Sequence, residues 1–104
     1  MASIYHPKGY IFKIYVLKSN RGRIFYVGMT CLKSITSRLS NHISVSRYNK
    51  TNSNSKQIRK LRFINIEEVE RTEDLQIAFA LEKKWIKYYL SIGIKLTNKQ
   101  DCYD

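Results

Sequence analysis

The sequence predicts a small α+β fold, a three-stranded antiparallel sheet flanked by helices in the order ββααβα. Three observations predict it. Two stretches rich in aromatic and β-branched residues, Tyr10–Leu17 (YIFKIYVL) and Ile24–Met29 (IFYVGM), are separated only by turn residues. A third such stretch, Phe63–Val69 (FINIEEV), lies far downstream. Between and after them, apolar residues recur at helical spacing. The 104 residues, 43% hydrophobic and 26% charged, fit one domain spanning 1–104.

Each element has its own reason. Tyr10–Leu17 is apolar on both faces and is expected to be the central strand. Lys18–Arg23 (KSNRGR) is turn chemistry, with Asn20 and Gly22 able to adopt positive φ, so the first two strands should form a hairpin. Ser34 or Thr36 can cap a helix reaching about Tyr48, with Leu32, Ile35, Leu39 and Ile43 as its apolar stripe. The polar, low-complexity run Asn49–Ser55 reads as a loop, followed by a short basic helix over about Gln57–Leu61. After the third strand, Thr72 precedes a long helix, Glu73–Leu90, whose first turn holds acids where the helix dipole favours them. Gly93 marks its end.

Charge narrows the partners. Residues 1–66 carry thirteen Lys and Arg and no acid, whereas 67–104 carry six and all eight acids, so the two parts are +13 and −2. A segment so one-sided repels itself, and a polyanion is the simplest partner for it; a surface tuned for solubility is the alternative. Nucleic acid is favoured over a membrane surface, because no basic helix has a wholly apolar opposite face. No run approaches the ~20 apolar residues of a membrane span, and no signal peptide opens the chain. Cys31 and Cys102 have no ligand-like spacing and read as free thiols of an intracellular protein, which argues against structural zinc.

Two features fit packing poorly, and the hairpin adds a pair of tyrosines. Glu82 sits within the stripe Leu75, Ala78, Phe79, Ile86 and Tyr89 of the long helix, where an unpaired carboxylate costs several kcal/mol. It is either functional or ion-paired with an arginine. Arg38 and His42, one turn apart, could both donate to a phosphate, or be solvated surface. If Leu17 lies opposite Ile24, Tyr15 lies opposite Tyr26 on one face of the hairpin, as a functional pair or as ordinary strand aromatics.

Lys13-Ile14-Tyr15 and Tyr26-Val27-Gly28, followed by Arg38-x-x-x-His42, Glu82 and the Asn98 of KLTNK, resemble the ordered motifs of the GIY-YIG nucleases from about Tyr10 to Lys99. Lys13 departs from the glycine usual at its position, and the lysine that some members carry shortly after the second motif has only Lys33 nearby. The resemblance implies a metal-dependent endonuclease acting on DNA, with RNA as the alternative substrate, one active site per chain, and a monomer or homodimer. Glu82 would be the sole protein carboxylate on Mg²⁺ (or Mn²⁺), and Arg38 would hold the phosphate. Tyr26 would be the general base, although sequence logic does not separate it from Tyr15, and a phenol needs cationic neighbours to ionise near neutrality. Tyr15 and His42 would orient groups or relay a proton, and Asn98 would orient Glu82 or a loop carbonyl. Arg47, Lys50, Lys56, Arg59 and Lys60, with Lys13 and Lys33, are the candidate DNA contacts, giving salt-dependent binding with weak sequence preference. A standalone enzyme of viral or mobile-element origin, cytoplasmic or nucleoid-associated, is the expectation. A nucleic-acid-binding module of the same fold with little cleavage is the alternative.

Overall fold

The computed structural model describes residues 11–31, 34–48, 53–61 and 64–98. Its elements are β1 (Phe12–Ser19), β2 (Ile24–Thr30), α1 (Ile35–Tyr48), α2 (Ser53–Lys60), β3 (Ile64–Thr72) and α3 (Leu75–Ser91), the expected ββααβα order. The sheet runs β2-β1-β3, antiparallel throughout. β1 is central because both its faces are apolar. Phe12, Ile14 and Val16 pack on one side with Val27 and the Ala78, Ile86 and Tyr89 face of α3. Tyr15 and Leu17 pack on the other with Leu39 and Ile43 of α1, Ile58 of α2 and Ile66 of β3.

The hairpin register differs from the expectation. Leu17 pairs with Tyr26 and Tyr15 with Gly28, while Lys18 pairs with Ile24. Phe25 is the extra residue of a β-bulge, which re-aims its side chain into the cluster of Tyr15 and Leu17. Tyr15 is thus a diagonal neighbour of Tyr26 and not its direct partner. The shift is even, so both rings keep the same face, with centroids 6.3 Å apart. In the turn, Gly22 takes positive φ and Asn20 does not.

Two helix boundaries also move. α2 begins four residues earlier than expected, at Ser53, inside the polar run. α3 starts at Leu75 and is capped by Asp74: the Asp74 carboxylate accepts from the backbone N–H groups of Gln76 and Ile77 at 2.8 and 3.1 Å. No acid lies in the first turn of α3, so the favourable dipole interaction is made by the cap itself. At its other end Gly93, with φ +91°, lets its own N–H reach Leu90 O and that of Ile94 reach Tyr89 O, the paired bonds of a Schellman motif. Asp74→Ala is expected to lower stability by about 1 kcal/mol. Urea unfolding should show a lower midpoint at unchanged slope, with Glu73→Ala shifting it much less.

Candidate active site

A cavity of about 630 Å³ opens beside β2, where α1, α3 and the segment after α3 converge. Four elements and the closing segment contribute to its wall: Tyr26 from β2, Arg38 and His42 from α1, Asn54 from α2, Glu82 from α3, and Asn98 from the closing segment. Of the six catalytic candidates, five line this space. The sixth, Tyr15, is fully buried behind it.

Tyr15 is held from two sides. Nε of Arg38 donates to its oxygen at 3.0 Å, and Nε2 of His42 lies 2.6 Å from the same atom. Its ring lies so close over Gly28 that a Cβ there would stand 2.3 Å from the phenol oxygen. The glycine of Tyr26-Val27-Gly28 is therefore required by the tyrosine of the facing strand. His42 stacks edge-on against both tyrosines, with centroids 5.7 Å from Tyr15 and 5.1 Å from Tyr26.

Burial sets the protonation states. It pushes the Tyr15 phenol well above its ordinary value of 10, helped by Tyr26 and opposed by the Arg38 hydrogen bond. Burial, and then the Arg38 charge, lower His42 from 6.5 to about 4, so its ring is neutral at pH 7. This corrects the picture of Arg38 and His42 as twin phosphate donors. Both His42 nitrogens face protein partners, Tyr15 at Nε2 and Asn54 Nδ2 at 3.3 Å from Nδ1. Arg38 spends Nε on Tyr15, which leaves the terminal nitrogens of its guanidinium to the cavity.

Glu82 is half-buried, and desolvation raises its carboxyl above the ordinary 4.5. Among the described residues no arginine forms the ion pair considered for it. The ion pairs among them join Lys18 to Glu67, Arg71 to Glu68 and Lys84 to Glu70, all with exposed or part-exposed partners. Among the described residues Glu82 is the one carboxylate on the cavity wall. Phe79, expected in the same buried stripe, is instead 41% exposed and also lines the cavity.

Asn98, expected to orient Glu82 or a loop carbonyl, bonds the backbone of β2. Its Oδ1 accepts from Val27 N–H at 3.0 Å and its Nδ2 donates to Val27 O at 2.7 Å. That two-point bond imitates a neighbouring strand and fixes the backbone next to Tyr26. Thr97 does likewise one step along, its N–H donating to Phe25 O at 2.7 Å.

Sequence reasoning missed Asn54, Thr97 and Lys83. Asn54 is 7% exposed and shares a face of α2 with Ile58, four residues on. Extending the short helix back by one turn would have shown a polar residue on a buried face, the signal that singled out Glu82. Lys83 places a cation on the cavity wall from the acidic third of the chain. Of the candidate DNA contacts, Arg47, Lys56 and Lys60 are exposed on α1 and α2. Arg59 is exposed too, but donates to Ser46 O at 2.6 Å and ties α2 to α1. Lys13 is buried within β1. Lys33 and Lys50 lie outside the described residues, as does Cys102; Cys31 is an exposed free thiol. No helix among the described residues is long and apolar enough to cross a membrane.

The family model described as the GIY-YIG catalytic domain matches residues 11–98. Neither the search of curated proteins nor that of solved structures found a significant match. The matched span contains every element of the sheet, all three helices and the closing Asn98. With its nuclease-type fold, the chain belongs to the GIY-YIG catalytic domain family.

Proposed function

We propose that this protein is a metal-dependent endonuclease that hydrolyses DNA phosphodiester bonds. The observation that carries the reading is Glu82, a half-buried carboxylate without an ion-pair partner among the described residues, on the wall of a cavity shared with Arg38 and Tyr26. A protein that only bound DNA would have no use for a desolvated carboxylate beside its cationic surface. Members of this family are generally endonucleases, act on DNA and typically depend on a divalent metal.

The donor set fits such an ion. Among the described residues there is no group of three or more His, Cys, Asp or Glu that would form an all-protein cage. A single carboxylate facing an open cavity suits Mg²⁺ (or Mn²⁺), which keeps most of its waters and shares substrate phosphate oxygens. Bound at Glu82, the ion would supply Lewis-acid stabilisation of charge on the phosphoryl group or leaving oxygen.

The chain's own residues do the rest. Arg38 holds the scissile phosphate through its terminal N–H groups and meets the charge that grows there. Tyr26, the tyrosine that lines the cavity with Arg38, takes a proton from the water that attacks phosphorus. Tyr15 and His42 hold Arg38 in place from behind, and Asn98 fixes the strand that carries Tyr26. Arg47, Lys56, Lys60 and Lys83 lead the DNA backbone to the cavity.

Supercoiled plasmid tests the reading. Nicking in Mg²⁺ or Mn²⁺ that stops in EDTA is the expected result, with nicks preceding linear product because each chain has one active site. Retardation of the same plasmid on a gel without cleavage in either metal would leave a binding module in place of the enzyme.

A further inference from the structure

Two apolar side chains on the cavity wall are left over by the chemistry above. Among the described residues the large apolar groups exposed to solvent are Val45, Ile77, Phe79, Tyr88 and Ile92, and of these Val45 and Phe79 line the cavity. Phe79 is 41% exposed and Val45 52%, so neither is held there by burial in the core. Single apolar groups scattered over a surface need no explanation, but these two come from different helices and meet in one space. Phe79 stands three residues before Glu82 on α3, and Val45 seven after Arg38 on α1. Each therefore shares a helix face with a group that the nuclease reading gives to the metal or the scissile phosphate.

The sugar–phosphate backbone does not account for them. It is met by cations, here Arg38 and Lys83 on the same wall. In a paired duplex the flat faces of the bases are covered by their neighbours, so an aromatic ring at the cavity finds no partner there. A base without a complement leaves the stack at small cost and offers its π-face. Cations interleaved with aromatic side chains are the means by which proteins hold unpaired nucleotides whatever their sequence. The cavity of about 630 Å³ falls within the roughly 300–1,000 Å³ of pockets that enclose small-molecule ligands, so a nucleotide fits, not its phosphate alone.

We propose that the DNA taken by this site carries an unpaired nucleotide beside the cleaved bond, its base stacked on Phe79 and flanked by Val45. The proposal rests on the nuclease reading for the position of the cut and on the cavity wall alone for the base. Phe79 is then a specificity-determining residue: it selects DNA with an unpaired base, whereas Arg38 and Lys83 hold the backbone of any DNA.

Three short fluorescein-labelled duplexes test this by anisotropy in EDTA: one fully paired, one with a single bulged adenine nucleotide, and one with an abasic bulge at the same place. The wild type is expected to bind the adenine bulge about 5–10²-fold more tightly than either of the others. Phe79→Ala should bring the three affinities together, Phe79→Trp should keep the preference, and Lys83→Gln should weaken all three by a common factor. In Mg²⁺ the wild type should nick the adenine-bulged duplex beside its unpaired nucleotide, with kcat/KM above that of the paired duplex by a similar factor. Equal affinity of the wild type for all three duplexes overturns the proposal, and so does a preference that Phe79→Ala retains. A preference shown equally for the abasic bulge overturns it too, because the protein would then be reading backbone flexibility and not a base. If the base preference follows Phe79 as stated but nothing is cleaved, the base site holds and the nuclease reading falls. If DNA is nicked and the preference is absent, the reverse is true.

Discussion

Glu82→Gln is expected to abolish metal-dependent cleavage while making the metal-free protein more stable at neutral pH. The loss of activity follows from removing the cavity carboxylate that would hold the metal: metal stabilisation of several kcal/mol amounts to roughly 10³-fold or more in rate. The gain in stability follows from the cause of the Glu82 shift. Burial raises its folded-state pKa above the ordinary 4.5, so the folded chain holds this proton more tightly than the unfolded chain does. Its contribution to stability is complete below the unfolded value and is lost as pH rises through the raised folded value. Above that raised value the ionised carboxylate is a cost that glutamine does not carry. His42 acts in the opposite sense: lowered from 6.5 to about 4, it adds stability as pH rises across that interval. The difference between variant and wild type removes the His42 contribution, because both proteins contain it. Thermal unfolding from pH 4 to 8 without metal should therefore show the variant gaining on the wild type as pH rises. Mg²⁺ should then raise the melting temperature of the wild type and not that of the variant. Parallel curves, or an equal response to Mg²⁺, would remove the metal-ligand role from Glu82.

Gly28→Ala is the second substitution with a large expected effect. The added Cβ would stand 2.3 Å from the Tyr15 oxygen and 2.4 Å from Cζ, well inside contact distance. Flexible side chains often yield to such a clash, but this phenol has nowhere to go. It is fully buried, on a central strand, and bonded to Arg38 and His42 at 3.0 and 2.6 Å. Overpacking of this kind costs about 1–3 kcal/mol. The catalytic loss should exceed what that destabilisation explains. Moving the phenol by about 1 Å releases Arg38, and misplacement on that scale costs on the order of 10² in rate. Cleavage measured well below the melting temperature, where the variant is fully folded, separates the two effects. Activity near the wild-type level there would mean that Tyr15 does not hold Arg38 for catalysis.

The sequence told more about which residues would meet than about how they would meet. Apolar residues on both faces placed β1 at the centre of the sheet, and one carboxylate on an apolar helix stripe was enough to single out Glu82. The hairpin register was not legible, because it depends on a bulge at Phe25 that side-chain alternation does not encode. The pairing of the two tyrosines on one face survived because the error was even. Asn54 was hidden by composition: a run of Asn, Ser, Thr and Lys reads as loop, and only packing of Ile58 against the Tyr15 cluster makes Ser53–Lys60 a helix with a buried side. The roles of His42 and Asn98 were invisible for a different reason. Both act through bonds to partners 12 to 71 residues away in sequence, and no local pattern carries those.

β2 lies at the margin of the sheet, and a marginal strand presents unpaired N–H and C=O groups on which another chain can template. Thr97 and Asn98 occupy such groups at Phe25 and Val27, so the residues that hold the tyrosine-bearing strand also deny it to other strands. Order at the cavity and protection of the strand edge thus share one structural origin. A chain that loses this seal is exposed to strand-to-strand aggregation at the same place, and at the same moment, that the proposed active site loses its order.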